Sequence, residues 1–124
     1  IFKEIKITML LNLSNHPSSL WPEEQISQAI TEYTRVEDLA FPQINPHLIE
    51  TDLDDLVQEY YKKVKNINPK AVHLMGEMTF VYRLVNKLKR DGITCIASTT
   101  ERISEEDGKG NKISRFEFVK FREY

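Results

Sequence analysis

The chain has 124 residues, a formal net charge of −2, 29% charged residues and one cysteine. This length and composition predict a single globular domain, residues 1–124, and the slightly acidic balance excludes the strongly basic surface of a protein that coats long nucleic acid. A lone cysteine excludes a disulfide framework, and Cys95 lies in an apolar run where we expect a buried, unreactive thiol. No apolar run approaches the ~20 residues that cross a membrane, so we expect a cytoplasmic protein without membrane contact.

The first predicted elements are a strand and a helix joined by a polar loop. The strand ends at about Leu13, and because Met9 directly precedes it, residues 1–8 are interpreted as a candidate N-terminal extension. Pro22 suits the first position of the following helix, where its missing N–H costs nothing. The residues expected on the buried face of this helix follow the spacing i, i+3, i+4, i+7: Ile26, Ala29, Ile30 and Tyr33.

A short second strand is predicted over Val36–Phe41, and a second helix follows a proline-containing loop. The helix begins near Thr51, where Asp54 three residues later resembles a capping box, and it ends at Asn68. Its expected buried stripe consists of Leu53, Leu56, Val57, Tyr60 and Val64.

The remaining elements are two strands around a third helix and one strand at the C-terminus. Ala71–Met75 is the third strand, the third helix runs from Gly76 to Gly92, and Ile93–Thr99 is the fourth strand. The helix is expected to bury Val81, Leu84, Val85 and Leu88. A polar turn leads to a last strand, Ile113–Phe121, which we expect to be antiparallel and at or near an edge of the sheet, with Phe116 and Phe118 on one face.

This order of elements predicts an α/β fold, a Rossmann-like three-layer open sheet that is mostly parallel with an antiparallel C-terminal edge hairpin. Three apolar runs end in small polar residues, in the stretches Leu10–His16, Val72–Glu77 and Cys95–Thr100. In such sheets, ligands bind outside the carboxyl ends of the strands, where the strand order reverses. The candidate site therefore consists of Ser14, Asn15, His16, Gly76, Glu77, Met78, Thr79, Ser98, Thr99, Thr100, Glu101 and Arg102.

His16 directly follows the first strand, and an imidazole with a pKa of about 6.5 suits proton transfer or contact with a phosphate. The alternative is a loop histidine that bonds a backbone carbonyl. His47 and His73 are interpreted as structural. Three separated histidines without cysteine or carboxylate spacing give no metal signature, and no cofactor is expected.

The other candidates also have two interpretations. Gly76 would let backbone approach a ligand at the free N–H groups of the helix start, or else Glu77 or Thr79 caps that helix. Arg102 would hold a phosphate or pair with an acid across a hairpin. Trp21 would stack on a base or anchor the first helix.

Three stretches carry a family resemblance: Leu10–Ser18, His73–Phe80 and Phe116–Tyr124. Together they resemble a small family of single-domain CRISPR-associated proteins similar to CARF (CRISPR-associated Rossmann fold) domains. These domains sense cyclic oligoadenylates made during type III CRISPR immunity. The resemblance covers nearly the whole chain from Met9 onward.

The resemblance implies a homodimer whose two pockets form one cleft for a cyclic oligoadenylate, and no binding of long nucleic acid. The implied ligand-binding residues follow the first and third strands: Ser14, Asn15, His16, Gly76, Glu77, Met78 and Thr79. Some relatives are ring nucleases, in which a ribose 2′-hydroxyl attacks the neighbouring phosphate without a metal. Ser14 and His16 would then be catalytic, with His16 as acid or base.

Two other functions stay open. Glu77 stands where many CARF pockets carry lysine or arginine, which favours a non-catalytic sponge or regulator that binds the same ligand. An α/β interaction module that pairs its C-terminal strand with a partner is the alternative without nucleotide binding.

Overall fold

The computed structural model describes residues 7–124, and most of the predicted extension, residues 1–6, lies outside the described residues. The described chain forms a sheet of five strands with three α-helices, and a short 3-10 turn at Ser18–Leu20 precedes the first helix. The strands are β1 (Ile7–Ser14), β2 (Val36–Asp38), β3 (Pro69–Met75), β4 (Thr94–Glu106) and β5 (Lys112–Glu123). The helices are α1 (Glu23–Tyr33), α2 (Glu50–Ile67) and α3 (Met78–Arg90).

The sheet order is β2-β1-β3-β4-β5, with β1 to β4 parallel and β5 antiparallel to β4. The predicted fold class, including the antiparallel edge strand at the C-terminus, is confirmed. From β1 the chain first moves outward to β2 and then crosses back to β3 on the opposite side of β1. The strand order therefore reverses between β1 and β3, where open α/β sheets bind their ligands.

The larger part of the core lies between the sheet and the two helices α2 and α3. Alternate side chains of a strand point to opposite faces, and Leu11 and Leu13 of β1 share this face with Val72 and Leu74 of β3. The predicted buried face of α3 is confirmed, since Val81, Leu84, Val85 and Leu88 are all buried here. In α2, four of the five predicted stripe residues are buried and Leu56 is partly buried.

The smaller part of the core lies on the other face of the sheet, beneath α1. Leu10, Ala71 and Ile96 pack there against Trp21 and Ala29. The predicted face of α1 was wrong at Ile30, which is 50% exposed. The helix is rotated so that Gln25 and Ala29 are its buried residues, while Ile26 and Tyr33 are only partly buried.

Several predicted boundaries differ from the structure. The strand predicted to Phe41 ends at Asp38, and β4 continues to Glu106 because it pairs with β5 along almost its full length. The capping box at Thr51 was wrong. Helix α2 already begins at Glu50, after Ile49, which contributes no side-chain cap.

Cys95 is fully buried in β4, and burial raises the pKa of its thiol to about 12. The expectation of a buried, unreactive thiol is confirmed, since the thiolate is the reactive form. Among residues 7–124, none of the helices combines the length and the apolar character needed to cross a membrane.

Candidate functional site

A cavity of about 490 Å³ opens at the carboxyl ends of β1, β3 and β4, on the same face of the sheet as α1. It lies at the point where the strand order reverses, because Ser14 at the end of β1 pairs with Met75 at the end of β3. Seven of the predicted site residues line it: Ser14, Asn15, His16, Trp21, Gly76, Ser98 and Thr100. Further lining residues, which were not predicted as site residues, include Leu20, Gln25, His73 and Met75.

The loop after β1 is held by bonds to one backbone carbonyl. The carbonyl oxygen of His16 accepts hydrogen bonds from the Asn12 amide at 2.9 Å and the Trp21 indole N–H at 3.2 Å, and the Ser14 hydroxyl lies 3.0 Å away. The Ser14 hydroxyl also lies 2.8 Å from the Asn12 side-chain oxygen. These bonds fix the loop backbone and leave the His16 imidazole exposed at the rim of the cavity.

Trp21 anchors the first helix, which was one of its two predicted roles, and it also lines the cavity. Its ring is 9% exposed and packs edge-on against the His73 imidazole, with ring centroids 4.9 Å apart. Phe121 of β5 also contacts the His73 ring, with centroids 5.8 Å apart, and lies 6.1 Å from the Trp21 ring. The three rings therefore form one aromatic cluster, of which Trp21 and His73 line the cavity.

His73 is 2% exposed and pairs in register with Asn12 across β1 and β3. Its Nδ1 lies 3.0 Å from the Asn12 side-chain oxygen, and its Nε2 has no hydrogen-bond partner among residues 7–124. Burial, together with the charge of His16, lowers the pKa of His73 to about 4. The imidazole is therefore neutral at physiological pH.

The tautomer of His73 follows from the partners of Asn12. The Asn12 amide nitrogen donates to the Asp38 carboxylate at 2.9 Å and to the His16 carbonyl, so its oxygen must face His73. An oxygen accepts only, and therefore Nδ1 of His73 carries the proton and Nε2 carries a lone pair. From the sequence, His73 was interpreted as structural. The polar residues Asn12, Ser14 and His73 within otherwise apolar strands were the signal that indicated a polar site on one face of the sheet.

Asp38 at the end of β2 is another residue that the sequence analysis missed. Its carboxylate accepts from the Asn12 amide, from the Ser18 N–H at 3.1 Å and from the Ser18 hydroxyl at 2.8 Å. It therefore connects β2, β1 and the loop that carries His16.

At the turn after β3, the backbone N–H groups at the start of α3 are already paired and are not open to a bound anion. The Glu77 carboxylate accepts from the N–H groups of Thr79 at 3.2 Å and Phe80 at 2.8 Å, and from the Thr79 hydroxyl. The Thr79 hydroxyl and these backbone donors hold the pKa of Glu77 below its usual value. The capping interpretation is confirmed, since the donors expected to meet a ligand already hold a carboxylate of the chain itself.

Gly76 lies in this turn against the ring of Phe41. A Cβ added at Gly76 would come within 2.4 Å of a ring carbon, a distance that real contacts do not reach. The absence of a side chain thus allows the close approach of the Phe41 loop. Met78, the next residue but one, is 82% exposed and borders a separate apolar groove with Tyr82 and Tyr124.

The remaining predicted site residues lie around or away from the cavity. Ser98 lines it, and its hydroxyl lies 3.1 Å from the Met75 sulfur. Thr99 donates to the Lys120 carbonyl of β5 at 3.0 Å. Arg102 donates to the Ser114 hydroxyl at 3.1 Å on the β4–β5 hairpin, outside the cavity, where an acidic side chain across the hairpin was the expected protein partner.

The chemistry of the cavity is that of a neutral pocket. Within the described chain, its lining includes no lysine and no arginine, and His16 at the rim is its one solvent-exposed titratable group. No cluster of three or more His, Cys, Asp or Glu suited to a metal ion occurs within residues 7–124. The cavity therefore favours an uncharged part of a ligand inside, with any anionic part near the rim.

A protein-family model with the description "Uncharacterized protein MJ1673 family" matches residues 8–122. Neither the curated proteins nor the solved structures contain a significant match.

Proposed function

The chain belongs to the MJ1673 family, and we propose that it binds a cyclic oligoadenylate at the cavity between β1 and β3 and cleaves it as a ring nuclease. The observation that carries the proposal is this cavity, which lies where the strand order reverses and has a neutral interior with an exposed imidazole at its rim. Of the stretches that resemble the CARF family, the first contributes His16 to its lining and the second contributes His73 and Gly76. The third contributes Phe121, which packs against the His73 ring.

A ring ligand requires more than one such cavity. The volume of about 490 Å³ lies in the range of pockets that take one drug-sized ligand, whereas a cyclic tetra-adenylate has four nucleotides. Two chains related by a two-fold axis would offer two equivalent cavities to a ring that has the same symmetry. The proposed active form is therefore a homodimer with one ring between two cavities.

The proposed reaction is transfer within the ring. A ribose 2′-oxygen forms a bond to the neighbouring phosphorus as the bond from phosphorus to the 5′-oxygen breaks, and the products carry a 2′,3′-cyclic phosphate and a 5′-hydroxyl. One proton leaves the 2′-hydroxyl and one is delivered to the 5′-oxygen. His16 is the proposed acid or base, because its imidazole is exposed where the charged part of the ligand would lie.

The side chain of Ser14 would act indirectly. Ser14 is 6% exposed, and its hydroxyl is shared between Asn12 and the His16 carbonyl, so it would position the loop that carries His16. The in-line geometry would come from how the loop and the turn at Gly76 hold the ring.

The experiment is incubation of labelled cyclic tetra- and hexa-adenylate with the protein in EDTA, followed by separation of ring from linear product. We expect the wild type to give linear product with a 2′,3′-cyclic end. For His16→Ala we expect the cleavage rate to fall by a factor of about 10² or more. His47→Ala is the matched control, because His47 lies in an exposed loop outside the cavity. A ring that stays intact but bound would support the sponge, and a ring neither cut nor bound would overturn the proposal.

The interaction module remains a second candidate because of the edge strand β5. Three of its apolar side chains, Ile113, Phe116 and Val119, are more than half exposed, and an unpaired edge invites pairing with another strand. Truncation of β5 is a poor test, since Phe121 packs into the core beneath α1 and the Tyr124 hydroxyl donates to the Leu74 carbonyl. The substitution Phe116→Glu tests it better: loss of a partner with retained nucleotide binding would separate the two functions.

A further inference from the structure

The buried Nε2 of His73 stands out among the polar atoms of the described chain. Most buried polar groups in proteins have a hydrogen-bond partner, since an unpaired one costs stability. Among the buried side-chain nitrogen and oxygen atoms of residues 7–124, Nε2 of His73 is the one without a partner. The ring that carries it lines the cavity.

The hydrogen-bond chain through Asn12 determines what kind of group can pair with Nε2. Because Asp38 and the His16 carbonyl hold the Asn12 amide nitrogen, the Asn12 oxygen faces His73 and the proton of the imidazole stays on Nδ1. Nε2 therefore offers a lone pair and accepts a hydrogen bond. Its partner must carry an N–H or O–H.

A phosphate group does not meet this requirement. Its oxygens are acceptors at neutral pH, and within the described chain the cavity lining has no lysine or arginine to neutralise them. The donors at the start of α3 are already paired with Glu77. The Trp21 ring, which lines the cavity next to His73, suits a flat aromatic group instead.

Of the parts of an adenylate, the base is the one that is flat, uncharged and provided with an N–H donor at its edge. The exocyclic amine of adenine donates, whereas its ring nitrogens accept. We propose that the cavity holds an adenine base and that Nε2 of His73 accepts a hydrogen bond from its exocyclic amine. This inference rests on the proposed function and adds to it the residue that recognises the base.

Entry of the base involves Trp21. Nε2 is enclosed, and the Trp21 ring lies edge-on against the imidazole, so we expect the indole to shift against the base when the base reaches Nε2. Trp21 is the only tryptophan of the chain, and its fluorescence therefore reports the event directly.

The experiment compares adenosine 5′-monophosphate with purine riboside 5′-monophosphate, which lacks only the exocyclic amine, by titration of Trp21 fluorescence. We expect the wild type to bind the adenylate about tenfold more tightly, the size of one hydrogen bond. The variant His73→Phe keeps an aromatic ring in contact with Trp21 and Phe121 and is expected to bind both nucleotides equally. His47→Phe, the same change in an exposed loop, is expected to keep the wild-type preference.

A second readout separates recognition from a structural role. In protein labelled with ¹⁵N-histidine, adenosine 5′-monophosphate is expected to change the chemical shift of His73 Nε2 while Nδ1 stays protonated. Purine riboside 5′-monophosphate is expected to leave that chemical shift unchanged. The inference is overturned if the wild type binds both nucleotides equally, if it binds neither, or if His73→Phe keeps the preference. Failure of the proposed function gives a different result: cyclic oligoadenylates are neither bound nor cut, independently of whether the mononucleotides bind.

Discussion

Asn12 is the residue on which the polar side of the site depends. Its side chain joins Asp38 of β2, the loop carbonyl of His16 and the imidazole of His73, all on the α1 face of the sheet. An amide can do this because it donates at one end and accepts at the other. A carboxylate at the same position would repel Asp38, and an apolar residue would leave the His16 carbonyl and His73 with fewer partners.

The buried imidazole of His73 makes stability depend on pH. Its pKa is lowered from 6.5 to about 4, while the unfolded chain takes up the proton at the ordinary value. Between these two values the unfolded state binds more protons, so the free energy of unfolding falls as the pH falls through this window. The stabilisation is fully present above pH 6.5, and its loss by pH 4 amounts to about 3 kcal/mol.

Urea denaturation of the wild type and His73→Phe between pH 7.5 and about pH 4.5 checks this dependence. We expect the wild type to lose more of its free energy of unfolding than the variant, and His47→Phe to follow the wild type. At pH 7.5 His73→Phe removes the unpaired Nε2 but also the Nδ1–H bond to Asn12, so we expect its stability there to differ little from that of the wild type. Parallel profiles for the wild type and the variant would contradict the assignment of the low pKa to His73.

At the scale of elements, the start of α3 shows how a helix end can be closed to a ligand. The Glu77 side chain pairs with the free N–H groups of Thr79 and Phe80 at the positive end of the helix. The carboxylate at this helix end therefore belongs to the chain itself, and Glu77 caps α3 at the position where the resemblance implies a lysine or arginine.

Substitution of Glu77 tests the cap. Glu77→Ala should lower the free energy of unfolding by about 1 kcal/mol, since two backbone donors lose their partner. Glu77→Gln retains an acceptor oxygen and should lose less. Thermal unfolding of the three proteins at pH 7 measures the difference, and equal stability of Glu77→Ala and the wild type would show that the cap contributes nothing.

The β4–β5 hairpin is the other element that shapes the site. β3 pairs with β4 only from Thr94 to Ile96, whereas β4 and β5 continue together to Glu106 and Lys112. One extra residue in β5, Val119, disturbs the register between Thr99 and Thr100. The bulge lets Phe118 and Phe121 come together at 5.1 Å despite their odd spacing, and Phe121 then reaches His73.

At the scale of the whole molecule, the proposed ring and the observed cavity differ in size. One cavity of about 490 Å³ is suited to one nucleotide, so binding of a ring would join two chains. Association of the chains and binding of the ring would then be thermodynamically linked.

The stoichiometry tests this arrangement. We expect calorimetric titration and native mass spectrometry to give one cyclic tetra-adenylate per two chains, and sedimentation to show a dimer when the ring is present. Adenosine 5′-monophosphate should bind once per chain. One ring bound to a single chain would contradict the two-fold arrangement.

Much of the architecture could be predicted from local patterns. The 3.6-residue spacing in α3 identified the buried face from Val81 to Leu88, and the apolar runs identified the parallel strands. The polar ends of those runs located the site at the carboxyl edge of the sheet. Local spacing was sufficient here because side-chain direction within one element depends only on backbone geometry.

Other features of the site depended on contacts between distant residues. The pairing of Asn12 with His73 requires the strand order β1-β3 and one particular register, and Asp38 reaches Asn12 only because β2 lies on the other side of β1. The exposure of Ile30 depends on how α1 rotates over the sheet, and the position of Arg102 depends on the hairpin.

The sequence by itself therefore determined the α/β class, the order of the elements and the edge of the sheet that carries the cavity, since these follow from periodicity within short segments. Only the tertiary structure decided which polar groups meet there, and it brought in His73 and Asp38 while turning Glu77 and Arg102 to other partners. The reason is that hydrogen bonds across strands are set by register and sheet order. These arise from the packing of the whole chain, and no local spacing encodes them.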